Sequence, residues 1–213
     1  MVVSGYTHIW DCCCDHGFLG MSLLSRQAAE HIHFVDIVPD LMCEVEANLQ
    51  RFYSALSPST WQTHCIDASA LPLHQYDGKH LVIIAGVGGD LITQFVENIH
   101  RQHPELDIDF LLCPVHHQFT LRQKLNQHDF SLKGERLVQD NQRFYEMILV
   151  STQSDDTNKV SLVGESIWQS TTDEQMNVVA NYLEKTRNHY RRIQQGNTKN
   201  VAHIVEAYQA VTL

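Results

Sequence analysis

Short runs of apolar and β-branched residues alternate along this chain with segments whose apolar positions recur every three or four residues. The run His80–Ala85 (HLVIIA) is unbroken and bounded by glycine, the pattern of a strand covered on both faces. Tyr6–Cys13, Ile32–Ile37, Trp61–Ile66 and Ile108–Cys113 read as further strands. Helices are predicted between them over Leu19–Glu30, Pro39–Tyr53, Leu91–His103 and Phe119–Gln127. Pro39–Tyr53 carries the clearest signal, with Leu41, Val45 and Leu49 at i, i+4 and i+8 behind an Asp36–Pro39 entry.

Strand–helix alternation with buried strands predicts a parallel α/β sheet. Phe130–Val138 and Arg143–Thr152 then follow as two strands around a turn at Gln139–Gln142, with no helix between them. This hairpin is expected to add an antiparallel strand at one edge. Residues 153–161 (QSDDTNKVS) are polar and read as a linker. Thr172–Gln194 and Asn200–Val211 read as two helices joined near Gly196. The organisation expected is a sheet domain over 1–152, then a linker and helical hairpin over 153–213.

The chain has 213 residues, 43% hydrophobic and 19% charged, enough apolar material for a sizeable core. No window approaches a membrane span, and the first residues lack a basic segment followed by a long apolar one. The net charge is −10, which does not mark a nucleic-acid binder. The acids are unevenly placed: residues 1–153 hold nine basic and eighteen acidic side chains. Lys185, Arg187, Arg191, Arg192 and Lys199 then occur with no acid among them. Fourteen histidines, if all protonated, would carry the charge from −10 to +4. The six cysteines include three in a row and form no C-x-x-C pair, so no metal site is expected. Reduced thiols in a cytoplasmic protein fit this usage.

Four segments carry candidate chemistry, each at the end of a predicted strand, where doubly wound sheets bind ligands. Asp11-Cys-Cys-Cys-Asp15-His16-Gly17 follows the first strand, with cysteine where glycine is usual. It reads equally as a small-residue strand end. Asp36 follows the second strand; a carboxylate there accepts both hydroxyls of a ribose, or caps the next helix. Asp67, with Ala68, follows the third; it can accept from an exocyclic amine, or serve a turn. Ala85-Gly86-Val87-Gly88-Gly89 follows the fourth. Three glycines in four residues mark a close approach by a ligand, a flat base or another backbone.

Taken in order, these residues resemble the bacterial tRNA (adenine-22-N1)-methyltransferases, the TrmK-like family. The resemblance rests on Asp11 to Leu19, on Ile84-Ala85-Gly86-Val87-Gly88-Gly89-Asp90-Leu91-Ile92, and on Asn141-Gln142-Arg143-Phe144-Tyr145-Glu146. It runs from about residue 8 to residue 152, with a weaker echo beyond. It implies a Rossmann-like class I methyltransferase sheet, mostly parallel with one antiparallel edge strand, followed by a small coiled-coil-like helical domain. It implies S-adenosyl-L-methionine as cofactor. Asp11, Cys13, Cys14, Asp15, His16 and Gly17 would cradle its methionine part, Asp36 and Ile37 the ribose, and Asp67 with Ala68 the adenine. Ala85, Gly86, Val87 and Gly88 would lie against cofactor and incoming base. Asp15 matches the acid placed near the reacting centre. The partner implied is tRNA, gripped by Lys185, Arg187, Arg191 and Arg192, with the protein a monomer or weak dimer. Two departures stand out: Cys13 and Cys14 replace the family's loop Gly and Ser, and Cys113-Pro114-Val115 replaces a Gln-Pro-Asn motif.

Methyl transfer to adenine N1 is an in-line displacement in which orientation does most of the work. The target base must be unpaired or flipped out. The alternatives are a methyltransferase acting on another RNA or a small molecule, and a module that binds S-adenosylmethionine or RNA without catalysis. A nicotinamide-dependent dehydrogenase fits poorly, because the first loop lacks G-x-G-x-x-G.

Overall fold

A computed structural model describes residues 5–53, 60–196 and 200–213. Seven strands form one sheet: β1 (Tyr6–Cys12), β2 (Ala29–Asp36), β3 (Thr60–Cys65), β4 (His80–Ala85), β5 (Ile108–Cys113), β6 (Ser131–Asp140) and β7 (Arg143–Ser151). The order across the sheet is β3-β2-β1-β4-β5-β7-β6. The first five pair in parallel, and β7 runs antiparallel to both its neighbours. The hairpin therefore closes one edge with its second strand inside and its first outermost. The order in which strands are added reverses between β1 and β4, the switch point at which such sheets form a ligand crevice at the carboxyl ends of their strands.

Helices α1 (Phe18–Ser25) and α2 (Pro39–Tyr53) cover one face, where Leu23, Leu24, Met42, Val45 and Leu49 pack on Ile9, Ile32 and Phe34. Helices α3 (Gly89–Gln102) and α4 (Gln118–Gln127) cover the other, burying Ile92, Val96, Leu121 and Leu125 against Val82, Ile84, Phe110 and Leu112. The predicted first helix was too long. It stops at Ser25, Gln27 turns back through a left-handed φ of 52°, and Ala29 and Glu30 open β2 instead. Within α1, Gly20 lies so close to the Phe34 ring that any Cβ would overlap it.

Residues 153–161, read as a linker, run along β6. The Leu132 N–H donates to Asn158 O, and Val160 is fully buried beside Phe130. Beyond it, α5 (Asp173–Gln195) and α6 (Ala202–Gln209) enclose a third core of Trp168, Val179, Tyr182, Leu183, Ile204 and Tyr208. Phe119 of α4 is part of that core, and Leu137 and Phe144 of the hairpin pack against it. Beneath it lies a buried charge network. Arg122 Nε is 2.7 Å from Glu146 Oε2 and its Nη1 is 2.7 Å from Glu135 Oε2. Tyr182 O–H donates to Glu146 Oε1 at 2.5 Å. These contacts tie α4, β6, β7 and α5 together.

A cluster of histidines, His8, His31, His33, His64 and His80, sits among β1 to β4. His8 Nε2 meets the Asp77 carbonyl at 3.1 Å, His8 Nδ1 meets His33 Nε2 at 3.0 Å, and His33 Nδ1 meets His64 Nε2 at 3.0 Å. A carbonyl only accepts, so in neutral rings each of the three Nε2 atoms carries the proton and donates in turn. Trp10 Nε1–H donates to His80 Nδ1, whose Nε2–H reaches Tyr76 O. Burial pushes His33 down to about 2 and His80 down to about 4, and it lowers His8, His64 and His100 as well. Burial thus works against protonation at five of the fourteen imidazoles, and it opposes the full reversal to +4 that composition alone allows.

Candidate active site

Three residues in the loop after β1 take left-handed backbone: Cys13 (φ 57°), Asp15 (φ 52°) and Gly17 (φ 71°). Such a loop coils tightly, and the Gly17 N–H donates to Cys14 O at 2.7 Å. Asp11 points away from the crevice. It is buried, and its Oδ2 accepts the Gly20 N–H at 2.8 Å, anchoring the start of α1. Burial, with the Asp36 charge added, pushes its carboxyl up to about 7. Cys14 also turns inward, its Sγ 3.9 Å from Met42 Sδ, and burial pushes its thiol up to about 12. Cys13 faces the other way. Burial first, then the charges of Asp36 and Asp67, push it up to about 11.

Asp36 stands half-buried at the end of β2. Its Oδ2 accepts the Asp15 N–H and its Oδ1 the Val38 N–H, both at 3.1 Å. One carboxylate thus spans the first two loops and keeps a lone pair on each oxygen for a further donor. Asp67 caps a short helical turn, with Ser69 N–H at 2.7 Å and Ser69 O–H at 2.5 Å, both on Oδ1. Ala68 beside it is buried.

The three glycines after β4 divide into two roles. Gly86 has φ 79°, and a Cβ there would meet nothing within 4 Å, so its backbone borders open space. Gly88 and Gly89 are filled from behind: the His116 ring lies against Gly88, and the His116 and His117 carbonyls crowd Gly89. Gly89 N–H donates to His116 O at 2.9 Å, and Val115 N–H to Val87 O at 3.0 Å. Two glycines of the motif therefore admit the loop after β5, and Gly86 alone opens to the crevice. Ala85 and Val87 beside it are half-buried.

Asp15 projects outward, its side chain 71% exposed and 3.8 Å from His16 Nε2. His16 Nδ1 in turn lies 3.5 Å from Glu44. Large apolar side chains stand exposed beyond four strand ends: Phe18, Ile37, Val38, Leu91 and Val115. The sequence reading missed His116 and His117. His117 holds φ 61° with Nδ1 2.6 Å from Asp90 Oδ2, and its ring lies parallel to that of His116 at 4.4 Å. The adjacent pair after an apolar strand was the available signal.

The basic run on α5 is smaller than its sequence suggests. Arg187 spends its guanidinium on the carbonyls of Tyr208, Gln209 and Val211, at 2.8–3.1 Å, closing the end of α6. A side chain so engaged is a structural tie, and this corrects its placement among RNA-gripping residues. Lys185, Arg191 and Arg192 remain exposed, and Lys199 falls outside the described residues. No group of three or more His, Cys, Asp or Glu among the described residues is arranged to hold a metal. None of the described helices is long and apolar enough to cross a membrane.

A family model described as a methyltransferase domain matches residues 1–148. The chain belongs to this methyltransferase domain family. No curated protein matches it. Solved structures resemble the methyltransferase over nearly its whole length. TrmK of M. capricolum, in complex with S-adenosyl-homocysteine, is 18% identical with a TM-score of 0.70, covering 97% of this chain and 88% of that one. Sp1610 of Streptococcus pneumoniae, in complex with S-adenosyl-L-methionine, is 17% identical with a TM-score of 0.72, covering 98% and 93%. The M1A22 tRNA methyltransferase TrmK of B. subtilis is 17% identical with a TM-score of 0.69, covering 98% and 92%. At these identities the likeness is one of fold. It places this methyltransferase among Rossmann-like proteins, and it extends through α5 and α6.

Proposed function

We propose that this methyltransferase moves a methyl group from S-adenosyl-L-methionine to N1 of an adenine in tRNA. In this reading residues 1–152 bind the cofactor and 153–213 contribute the RNA grip. The observation that carries it is the placement of Cys13 beside Asp36 and Asp67, with Gly86 bordering open space after the neighbouring strand, on a chain matching tRNA methyltransferases along nearly its full length. The residues suit the cofactor. Asp36 keeps lone pairs for a ribose diol, the Asp67 cap leaves Oδ2 for a donor, and Gly86 offers bare backbone over open space. The bound cofactor supplies an electrophilic methyl on a sulfonium.

The chain's own work is alignment and charge. Adenine N1 is already a nucleophile, so the loops need only hold it in line with the methyl and keep water out. The product base is cationic, and the Asp15 carboxylate stabilises that charge as it develops. N1 lies on the pairing edge, so the base enters unpaired. Lys185, Arg191 and Arg192 supply phosphate contacts on an otherwise acidic body, orienting the RNA. Its six free thiols suit work in the cytoplasm.

Incubation with radiolabelled cofactor and total bacterial tRNA, then primer extension, tests the reading directly. A stop at one adenosine is expected. Asp15→Ala should lower kcat on the order of tenfold or more with cofactor affinity unchanged. Absence of label in tRNA from the wild-type protein would overturn the assignment.

A further inference from the structure

A second cavity lies between the loop after β5 and the first C-terminal helix. It measures about 310 Å³ and is lined by His116, His117, Phe144, Lys185, His189 and Tyr190 among others. No carboxylate is among its lining residues, although the chain carries 25 acids. Asp90 lies behind the wall and holds His117 Nδ1, which leaves the ring face and Nε2 free. His116 and His117 stack face on face with an interplanar angle of 2°, so His116 backs His117, whose outer face is left bare. On the facing wall the Lys185 ammonium sits 5.3 Å over the Phe144 ring, which fixes a cation at the rim. The cavity adjoins the crevice, because the His116 ring lies against Gly88.

A flat imidazole face backed by a second ring, opposite a fixed cation and with no lining carboxylate, matches a base and its phosphate. We propose that this cavity seats the nucleotide flanking the methylated adenosine, its base stacked on the outer face of His117 and its phosphate on Lys185. The inference rests on the RNA methyltransferase reading above. It adds a specificity site that the cofactor crevice does not include. His117 holds this place from the N-cap of α4, in left-handed backbone.

The test compares wild type with His189→Ala alone and with His117→Asn/His189→Ala in steady-state methylation of total bacterial tRNA. Asparagine tolerates the left-handed backbone and removes the ring. His189 lies exposed on a helix, so its single variant keeps the fold. The double variant should raise KM for tRNA roughly five- to a hundredfold, the range for losing one stacked base. Its kcat should stay within about twofold, and S-adenosyl-homocysteine binding by calorimetry should not change. Met176→Ala, at the other end of α5, should match wild type. An unchanged KM in the double variant would overturn the inference, as would an equal loss of cofactor binding. A wild-type protein that methylates no tRNA would instead sink the functional reading, and the inference with it.

Discussion

Arg122 is the single cation between two buried carboxylates, so replacing it by leucine gives the sharpest test of how the halves of the chain are joined. The Arg122, Glu135 and Glu146 side chains are wholly buried. Glu135 Oε1 also accepts the Glu165 and Ser166 N–H groups at 2.6 and 2.8 Å. Breaking a buried pair by removing one partner costs about 3–5 kcal/mol, most of it for the charge left behind. Here two carboxylates lose their cation, which points to the upper end. For a chain of this length each kcal/mol is worth about 2–4 °C, so Arg122→Leu should melt about 6–20 °C lower.

The pH dependence gives the mechanism away. In the wild type, burial raises Glu135, and Arg122 with the two N–H groups more than offsets it, so the carboxyl sits below its ordinary value. A depressed carboxylate stabilises the fold above its unfolded pKa, and that contribution is lost as pH falls through the folded one. Without the arginine, burial dominates and the sign reverses: the variant gains stability as acid neutralises the stranded carboxyl. Urea unfolding at pH 7 and pH 5 should therefore show a gap that narrows on acidification. A gap within about 1 kcal/mol at pH 7, or one that ignores pH, would refute the account.

Gly20→Ala should destabilise by about 1–3 kcal/mol, since its Cβ would overlap the Phe34 ring, and Phe34→Leu should recover part of the loss. Melting curves identical to wild type would show that α1 shifts freely on the sheet. Replacing Arg191 and Arg192 by alanine should flatten the dependence of log tRNA affinity on log salt by about one to two, with cofactor binding intact. An unchanged slope in filter binding would remove α5 from the RNA surface.

The centre of the sheet was legible because HLVIIA and IDFLLC are short, nearly unbroken apolar runs, too short for helices and buried along almost their whole length. The boundary at Ala28 was not, since Ala29 and Glu30 have ordinary helical propensity and the left-handed turn at Gln27 carries no glycine or asparagine to mark it. Asp36 showed itself through its place after a strand. Asp11 looked alike in sequence, yet it turned inward to Gly20, because side chains alternate along a strand. The glycine motif was readable as a close approach, but not that His116 supplied most of it. Arg187 looked free because its partners are backbone carbonyls, which leave no mark in the sequence. The helical segment likewise hid its attachment, which runs through Glu146 to Tyr182.

The nesting of β7 between β5 and β6 also sets a schedule for synthesis. During translation β5 is finished at Cys113, yet its only remaining partner is complete at Ser151. At about 5–20 residues per second the intervening stretch takes roughly two to eight seconds. Throughout that interval the nascent chain presents Ile108–Cys113, an apolar strand with one bare edge, to every other chain nearby. β6 emerges first but cannot shield it, since β6 joins the sheet only through β7. The interval makes this edge a natural place for a ribosome-associated chaperone to act, and a chain terminated before Arg143 should aggregate rather than remain a smaller soluble domain.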